Sequence, residues 1–149
     1  YNFCLKKRKM VDSMVLKIDF NSDEAIYIQL RNQIIMGIAT EMIHEGDTLP
    51  SVRQMADHIG INMHTVNKAY SVLRQEGYVK LDRRRGAVVS LDVDKIQAIN
   101  TMRQNLDVVL ACGICKNITR EEVHQLVDEI YDRYTRACME DTDGEQGEE

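Results

Sequence analysis

Apolar residues recur at helical spacing near the start of the chain. The members of this stripe are Tyr27, Leu30, Ile34 and Ile38. Side chains three or four positions apart share one face of a helix, so this pattern predicts a helix with one buried face. Ser22 or Asp23 is a suitable N-cap, and the helical pattern stops near Met42. We therefore expect a first helix from about Ser22 to Met42.

Two shorter helical patterns follow a predicted turn at 44–50, which contains the only proline. Ser51-Val52-Arg53-Gln54 has the S-x-x-Q form of a capping box and opens the second helix, which Gly60 ends. Asn62 caps the third helix, and Gly77 ends it. The buried stripes are Val52, Met55, Ala56 and Ile59 in one helix, and Val66, Ala69, Tyr70 and Leu73 in the other. Two short helices with a three-residue connection are typical of a helix-turn-helix.

A β-hairpin is predicted next. Two β-prone runs, Tyr78–Leu81 and Ala87–Ser90, flank the charged turn Asp82-Arg83-Arg84-Arg85-Gly86. A hairpin directly after a helix-turn-helix is expected to form a wing.

Two longer helical patterns fill the rest of the chain. One runs from about Val93 to Cys112, and the other from about Arg120 to Cys138, after a second capping box formed by Thr119 and Glu122. Their apolar positions are Ile96, Ile99, Met102, Leu106, Val109 and Leu110, and then Val123, Leu126, Val127, Ile130, Tyr134 and Ala137. Two such helices have little apolar partner surface within one chain, so we expect them to pair two subunits in a homodimer.

The predicted fold class is therefore mostly α (α+β), with an N-terminal winged helix-turn-helix at 14–92 and a two-helix dimerisation region at 93–139. Residues 1–13 begin with Tyr1 rather than Met and are interpreted as added residues or an extended, disordered start, with Met14 the more natural initiator. The acidic tail at 140–149 is expected to be disordered.

Charge is divided unevenly along the chain, which carries a net −5. Residues 50–92 hold seven Lys/Arg and four Asp/Glu, whereas 93–149 hold six basic and thirteen acidic residues. Nucleic-acid affinity depends on the basic groups that meet phosphates, so the first region is the expected DNA-binding surface. The acidic region should point away from DNA.

Composition narrows the class of protein. With 44% hydrophobic and 29% charged residues the chain is typical of a soluble globular protein. No apolar run approaches the ~18 residues that suggest a membrane span, and the basic stretch Lys6–Lys9 lacks the apolar segment of a secretory signal. Four cysteines without export features indicate the reducing cytoplasm.

Four segments in order resemble the GntR family of bacterial regulators. They are Ala25–Leu30 (AIYIQL), Gly46–Ala56 (GDTLPSVRQMA), Asn62-x-x-Thr65-Val66-x-Lys68-Ala69-Tyr70, and Leu73-x-x-Glu76-Gly77-Tyr78. The ordered match covers roughly half the chain, which is more specific than any single motif. The short C-terminal part looks like the YtrA-like subfamily, since it has no room for the larger ligand-binding or aminotransferase-like domains of other relatives.

The resemblance implies a winged helix-turn-helix that represses by binding a palindromic operator near its own operon. In the YtrA-like group such operons often encode ABC-type transporters. The resemblance, rather than any single residue, favours repression over activation. No residue pattern in the sequence identifies a small-molecule effector. In a twofold dimer, the two half-sites would lie about 34 Å apart, or a multiple of that, on one face of the double-stranded operator.

The third helix is the expected recognition helix. Opposite its buried stripe lie Met63, His64, Asn67, Lys68, Ser71 and Arg74. His64 and Asn67 can hydrogen-bond to bases, Thr65 can bond a phosphate or touch a thymine methyl, and Lys68 can reach phosphate or guanine.

Two further elements supply candidate DNA contacts. Arg53 falls where the resemblance implies a DNA-contacting arginine, and Ser51 can hold phosphate beside a helix N-terminus. In the wing, Gly86 is implied to approach the minor groove, helped by Arg84 and Arg85. This chain departs from the family pattern at positions 63 and 67, which are often basic or otherwise strongly polar in relatives but are Met63 and Asn67 here. It departs again at Arg84-Arg85-Gly86, where Gly-x-Gly is common. Tyr27, Tyr70 and Tyr78 are interpreted as core aromatics.

Cys112-Gly113-Ile114-Cys115 leaves alternatives open. One C-x-x-C supplies two of the four ligands of a structural zinc site, so ordinary packing or loop cysteines are favoured, with metal binding or redox sensing as alternatives. Gly113 is interpreted as a helix stop. No metal or cofactor is expected, but a redox- or metal-responsive regulator acting through Cys112 and Cys115 stays the alternative function.

An enzyme is the third possible class of function. The sequence has no phosphate-binding glycine loop, no H-E-x-x-H and no nucleophile elbow. Its four histidines, His44, His58, His64 and His124, are scattered over separate predicted elements. The sequence therefore favours a regulator over an enzyme.

Overall fold

A computed structural model describes residues 16–92 and 94–140, with only the backbone given for 139 and 140. The predictions for 1–13 and for the tail beyond 140 lie outside the described residues. The elements in chain order are α1 (Ile26–Ala39), α2 (Val52–Ile59), α3 (Met63–Gln75), β1 (Val79–Asp82), β2 (Gly86–Val89), α4 (Lys95–Cys115) and α5 (Arg120–Glu140). They form two units, one up to residue 92 and one after it, here called the winged unit and the helical unit.

The predicted fold class is confirmed: α2 and α3 form the helix-turn-helix, and an antiparallel hairpin of β1 and β2 forms the wing. The core of the winged unit lies where α3 packs between α1, α2 and β1. Its most deeply buried side chains are Leu30, Ile34, Ile43, Val66, Leu73 and Val89. This core holds α3 in place while the opposite face of α3 stays exposed.

The predicted bounds of α1 are wrong at both ends. Its N-cap is Ala25, which makes no side-chain cap bond, and the Ser22 hydroxyl instead accepts a bond from the Glu24 amide at 3.1 Å. The helix ends at Ala39 because Glu41 adopts a left-handed backbone, with φ of 59°. The buried Gln29 side chain, rather than an N-cap residue, ties the segment before α1 to the helix. Its amide nitrogen donates to the backbone carbonyls of Asp19 and Glu24, each at 2.9 Å.

Both short helices of the helix-turn-helix begin as predicted. The Ser51 hydroxyl accepts from the Gln54 amide at 3.2 Å, and the Gln54 side chain accepts from the Ser51 amide at 3.0 Å. Gly60 leaves α2 with φ of +78°, in the left-handed region that glycine adopts without strain. Asn62 then caps α3 by accepting a bond from the His64 amide at 2.8 Å.

The wing differs in detail from the prediction. Strands β1 and β2 pair from Val79 with Val89 to Asp82 with Gly86, so each strand is displaced by one residue from its predicted bounds. The segment predicted as a simple turn at 44–50 also adds a bridge between Thr48 and Val88. Backbone bonds of 2.8 Å on either side of this bridge tie the wing to the segment before α2.

The helical unit shows a correction at Gly113, which lies inside α4 and is not the helix stop that was predicted. The helix continues to Cys115 and ends on Asn117, whose φ is 59°. Two bonds close this end, from the Ile118 amide to the Gly113 carbonyl and from the Asn117 amide to the Ile114 carbonyl, both at 3.0 Å. This pattern is a Schellman motif in which asparagine supplies the left-handed residue.

Helix α5 opens on the predicted capping box. The Glu122 amide donates to the Thr119 hydroxyl at 3.2 Å, and the Thr119 amide donates to the Glu122 carboxylate at 2.7 Å. No side chain between residues 94 and 138 is buried. None of the helices in the described part of the chain combines the length and the apolar composition that crossing a membrane requires.

Candidate nucleic-acid interface

The exposed face of α3 is the centre of the candidate site. Val66, Ala69, Tyr70 and Leu73 anchor the helix in the core, with Val66, Ala69 and Leu73 fully excluded from solvent. The opposite face consists of exposed side chains from Met63, His64, Asn67, Lys68, Ser71 and Arg74. This face presents hydrogen-bonding groups and two cations on a rigid helix, which is what reading of base edges in a major groove requires.

The N-terminal end of α3 is well ordered by local bonds. The Asn62 side chain and backbone carbonyl accept from the amides of His64, Thr65 and Val66 at 2.8 to 3.2 Å. These bonds fix the backbone from which the His64 side chain projects. Thr65 is half-buried, so it lies at the edge of the exposed face rather than at its centre.

The start of α2 presents Ser51 and Arg53, both exposed. Because the Ser51 hydroxyl already accepts the Gln54 amide, what it still has to offer a phosphate is its own O–H proton. Arg53 is in the first turn, where amide groups of the helix also point outward. The two predicted residues therefore belong to one anion-attracting helix start.

A carboxylate organises the wing turn. One oxygen of Asp82 accepts the backbone amides of Arg84 and Arg85, each at 2.8 Å. These two bonds, aided by the charges of Arg85 and Lys80, lower the pKa of Asp82 below its ordinary value. Asp82 thus holds the turn that carries Arg83, Arg84 and Arg85, all of which are exposed.

The two predicted wing arginines make different contacts in the structure. The Arg85 guanidinium bonds to the Gly46 carbonyl and, at 3.2 Å, to the Thr48 hydroxyl, so it braces the wing against the segment before α2. Arg84 is the more available of the two for a nucleic acid, although both are exposed. Gly86 has φ of +80° with open space where a side chain would stand, so backbone conformation rather than crowding favours glycine.

Helix α1 contributes a contact that sequence reasoning missed. The Lys68 ammonium lies 4.0 Å from the centroid of the Tyr27 ring. Tyr27 packs against the core, as Tyr78 does, so the interpretation of these residues as core aromatics is confirmed, but Tyr27 also contacts a predicted DNA-binding side chain. The sequence shows that Tyr27 belongs to an apolar stripe at helical spacing. Such spacing does not reveal a contact with a distant helix.

Two further bonds tie α3 to its neighbours. The buried Tyr70, at 8% exposure, donates its hydroxyl to the Pro50 carbonyl at 2.8 Å, and burial raises its pKa. At the other end, Arg31 of α1 pairs with Glu76, the C-cap of α3, at 2.8 Å.

The ten predicted contact residues lie on three connected elements of one unit: the start of α2, the face of α3 and the wing turn.

The cysteines lie outside this interface. Cys112 and Cys115 are exposed in the last turns of α4, and so belong to a helix rather than to a connection. Within residues 16–92 and 94–140, no three His, Cys, Asp or Glu side chains are grouped to hold a metal ion.

Comparison with known families gives a match over residues 23–89, to the family described as "Bacterial regulatory proteins, gntR family". Among individual proteins, the HTH-type transcriptional repressor YtrA of Bacillus subtilis is 30% identical over 119 residues, covering 78% of this chain and 92% of that protein. The uncharacterized HTH-type transcriptional regulator YhcF of the same species is 28% identical over 109 residues, covering 70% of this chain and 88% of that protein.

Solved structures show the same likeness. YtrA from Sulfolobus acidocaldarius, a GntR-family transcription factor, is 40% identical, with a TM-score of 0.56 over 65% of this chain and 98% of that chain. A transcriptional antiterminator from Listeria monocytogenes EGD-e is 25% identical, with a TM-score of 0.74 over 82% of this chain and 93% of that chain.

Proposed function

This chain belongs to the GntR family as a YtrA-like, DNA-binding transcriptional regulator and not an enzyme, and on that premise we propose that it is a homodimeric, cytoplasmic repressor of its own operon. Its target would be a palindromic double-stranded operator, in an operon that includes transporter genes. The observation that carries the proposal is the exposed, mostly polar face of α3, which lies opposite a buried apolar stripe.

Each element of the interface has a proposed role. His64, Asn67 and Met63 meet base edges in the major groove, while Thr65 and Lys68 contact the backbone beside them. Ser51 and Arg53 hold a phosphate at the start of α2. Arg84 and Gly86 approach the minor groove, and Arg85 supports the wing from behind through Gly46 and Thr48.

Dimerisation is supported by the helical unit. Its two helices expose many large apolar side chains, among them Ile99, Met102, Leu106, Val109, Leu126, Val127 and Ile130. Burying a side chain of this size stabilises a protein by about 1.5 to 3 kcal/mol, so water is an unfavourable environment for such a set. A second copy offers the same apolar surface and places two recognition helices on one face of DNA.

The experiment is a fluorescence anisotropy titration with two labelled duplexes of equal length. One carries the promoter region directly upstream of the gene for this chain, and the other has random sequence. We expect the promoter duplex to bind tighter by about 10³-fold or more. Arg53→Ala and Lys68→Ala should each weaken binding by about tenfold, since each removes one charged contact.

Arg103→Ala is the matched control, because Arg103 is an exposed arginine on α4, outside the interface. An equal loss for Arg103→Ala and Arg53→Ala would contradict the proposed interface. Equal affinity for both duplexes would contradict repression through an operator at this promoter.

A second candidate is a redox- or metal-responsive regulator of the same fold. It is favoured by one observation: Cys112 and Cys115 are both exposed and three residues apart in one helix. The test compares promoter binding with and without diamide or Zn²⁺ for the unaltered protein and for Cys112→Ser/Cys115→Ser. A response that the double variant lacks supports this candidate, and identical behaviour of the two proteins rules it out.

A further inference from the structure

The Lys68 side chain is held by an aromatic ring from another helix. Its ammonium lies 4.0 Å from the centroid of Tyr27, inside the distance of about 6 Å at which a cation is attracted to the face of a ring. Lys68 is exposed on α3, whereas Tyr27 is half-buried on α1. The contact therefore joins a solvent-facing cation to an anchored ring.

The ring can fix the lysine because the ring itself is fixed. Tyr27 packs against the buried core, so it has little freedom to follow the lysine. Lys68 is exposed and carries a flexible stem with four rotatable bonds, which must be ordered when the ammonium meets a phosphate. A ring that already holds the ammonium removes part of that ordering cost before DNA arrives.

Helix α1 as a whole is placed to support this contact. One turn after Tyr27, Arg31 bonds to Glu76 at 2.8 Å, so α1 contacts α3 in its first half and again at its C-cap. Two contacts on one face of α1 fix where the Tyr27 ring stands relative to Lys68. The arrangement does not require the Tyr27 hydroxyl, only the ring.

We propose that Tyr27 is a positioning residue that holds the Lys68 ammonium for contact with the DNA backbone. This role rests on the proposed function of α3 as the recognition helix. Tyr27 acts here through Lys68 and not by touching DNA itself. Its contribution should therefore vanish when Lys68 is absent.

A double-mutant cycle tests this dependence, with the promoter duplex and the random duplex as probes. The variants are Tyr27→Leu, Tyr27→Phe, Lys68→Met, and Tyr27→Leu combined with Lys68→Met. Tyr27→Leu should weaken binding about 2- to 5-fold, the range expected for an exposed cation–π contact. Tyr27→Phe keeps the ring and should bind like the unaltered protein. In the Lys68→Met background, Tyr27→Leu should have no further effect.

Lys80→Met provides the matched background, since Lys80 is an exposed lysine on β1. There, Tyr27→Leu should still weaken binding. Equal losses with and without Lys68 would overturn the positioning role, as would a Tyr27→Phe protein as weak as Tyr27→Leu. Absence of binding by the unaltered protein to either duplex at low salt would overturn the proposed function, and this role with it.

A readout without DNA guards against a loss that reflects folding alone. The ε-methylene protons of Lys68 should show an upfield ring-current shift in NMR spectra of the unaltered and Tyr27→Phe proteins. Tyr27→Leu should remove that shift while its melting temperature shows that it is folded. An unshifted Lys68 in the unaltered protein would contradict the contact.

Discussion

Leu73 of α3 and Leu106 of α4 are both leucines in amphipathic helices, yet Leu73 is fully buried and Leu106 is 43% exposed. The same contrast extends to the units that contain them. The winged unit closes a core around α3, whereas no side chain from 94 to 138 is buried. Similar apolar spacing therefore has two outcomes: a helix whose apolar face is buried in the core of its own unit, and a helix whose apolar side chains stay exposed.

The largest expected effect tests the core side of this comparison. Leu73→Ala should lower the free energy of unfolding of the winged unit by about 2 to 5 kcal/mol, because it leaves a cavity in a packed core. Leu81→Ala is the control, since Leu81 of β1 is 69% exposed. Urea unfolding followed by circular dichroism measures both. Similar values for the two variants would contradict the described core.

The next prediction compares a glycine-to-alanine substitution in each unit, with effects of opposite sign on the free energy of unfolding. Gly77→Ala should destabilise the winged unit by about 2 kcal/mol, because Gly77 has φ of +83° and an added Cβ would stand 2.9 Å from the Asp92 Cβ. Gly113→Ala should instead stabilise α4 by about 0.5 to 1 kcal/mol, since Gly113 lies inside a helix with only ordinary contact to Ile118. Thermal melts of both variants give the signs, and destabilisation by Gly113→Ala would contradict the helix end at Asn117.

The next prediction is that the stability of the helical unit, but not that of the winged unit, depends on protein concentration. If a second copy covers the helical unit, the stability of that unit rises by about 0.7 kcal/mol per protomer for each tenfold increase in protein concentration, because free monomer grows only as the square root of total protein, whereas the winged unit is unaffected. Hydrogen exchange followed by mass spectrometry resolves peptides from 26–92 and from 94–138. Concentration-independent protection of 94–138 would mean that the helical unit is stable alone, against the proposed dimer.

The smallest effect concerns the wing turn and its pH dependence. The two backbone bonds from Arg84 and Arg85 lower the pKa of Asp82 below its ordinary value in the folded protein. These bonds are therefore fully present above the ordinary carboxyl pKa and are lost as pH falls through the lowered pKa. The amide NMR signals of Arg84 and Arg85 should therefore move together at acid pH. In Asp82→Asn they should not titrate. Movement centred at or above the ordinary pKa of an aspartate in the unaltered protein would contradict the two bonds.

Local signals account for the parts of the fold that sequence predicted well. The capping boxes at Ser51 and Thr119 and the cap at Asn62 were all predicted and are present. Each acts within three residues, so nearby sequence contains the whole interaction. The prediction that Gly113 ends the helix was wrong because glycine permits a helix end without requiring one. The left-handed backbone of Asn117 ends α4 instead.

Contacts between distant residues account for what sequence missed. The Tyr27 ring beside Lys68, the Arg85 brace to Gly46 and the bridge from Thr48 to Val88 each join separate segments. Nothing in their local sequence specifies the partner, because packing of the whole unit decides it. The exposed face of α3 was predictable because its buried complement is periodic.

The central claim is that the winged unit binds duplex DNA through basic and polar groups on α2, α3 and the wing. The most direct measurement is the salt dependence of binding to the promoter duplex, from about 50 to 200 mM salt. The account predicts a linear fall of log K with log salt, and a slope smaller in magnitude by about one unit for Lys68→Ala. Absence of binding even at low salt, or a slope that Lys68→Ala leaves unchanged while Arg103→Ala reduces it, would contradict the account.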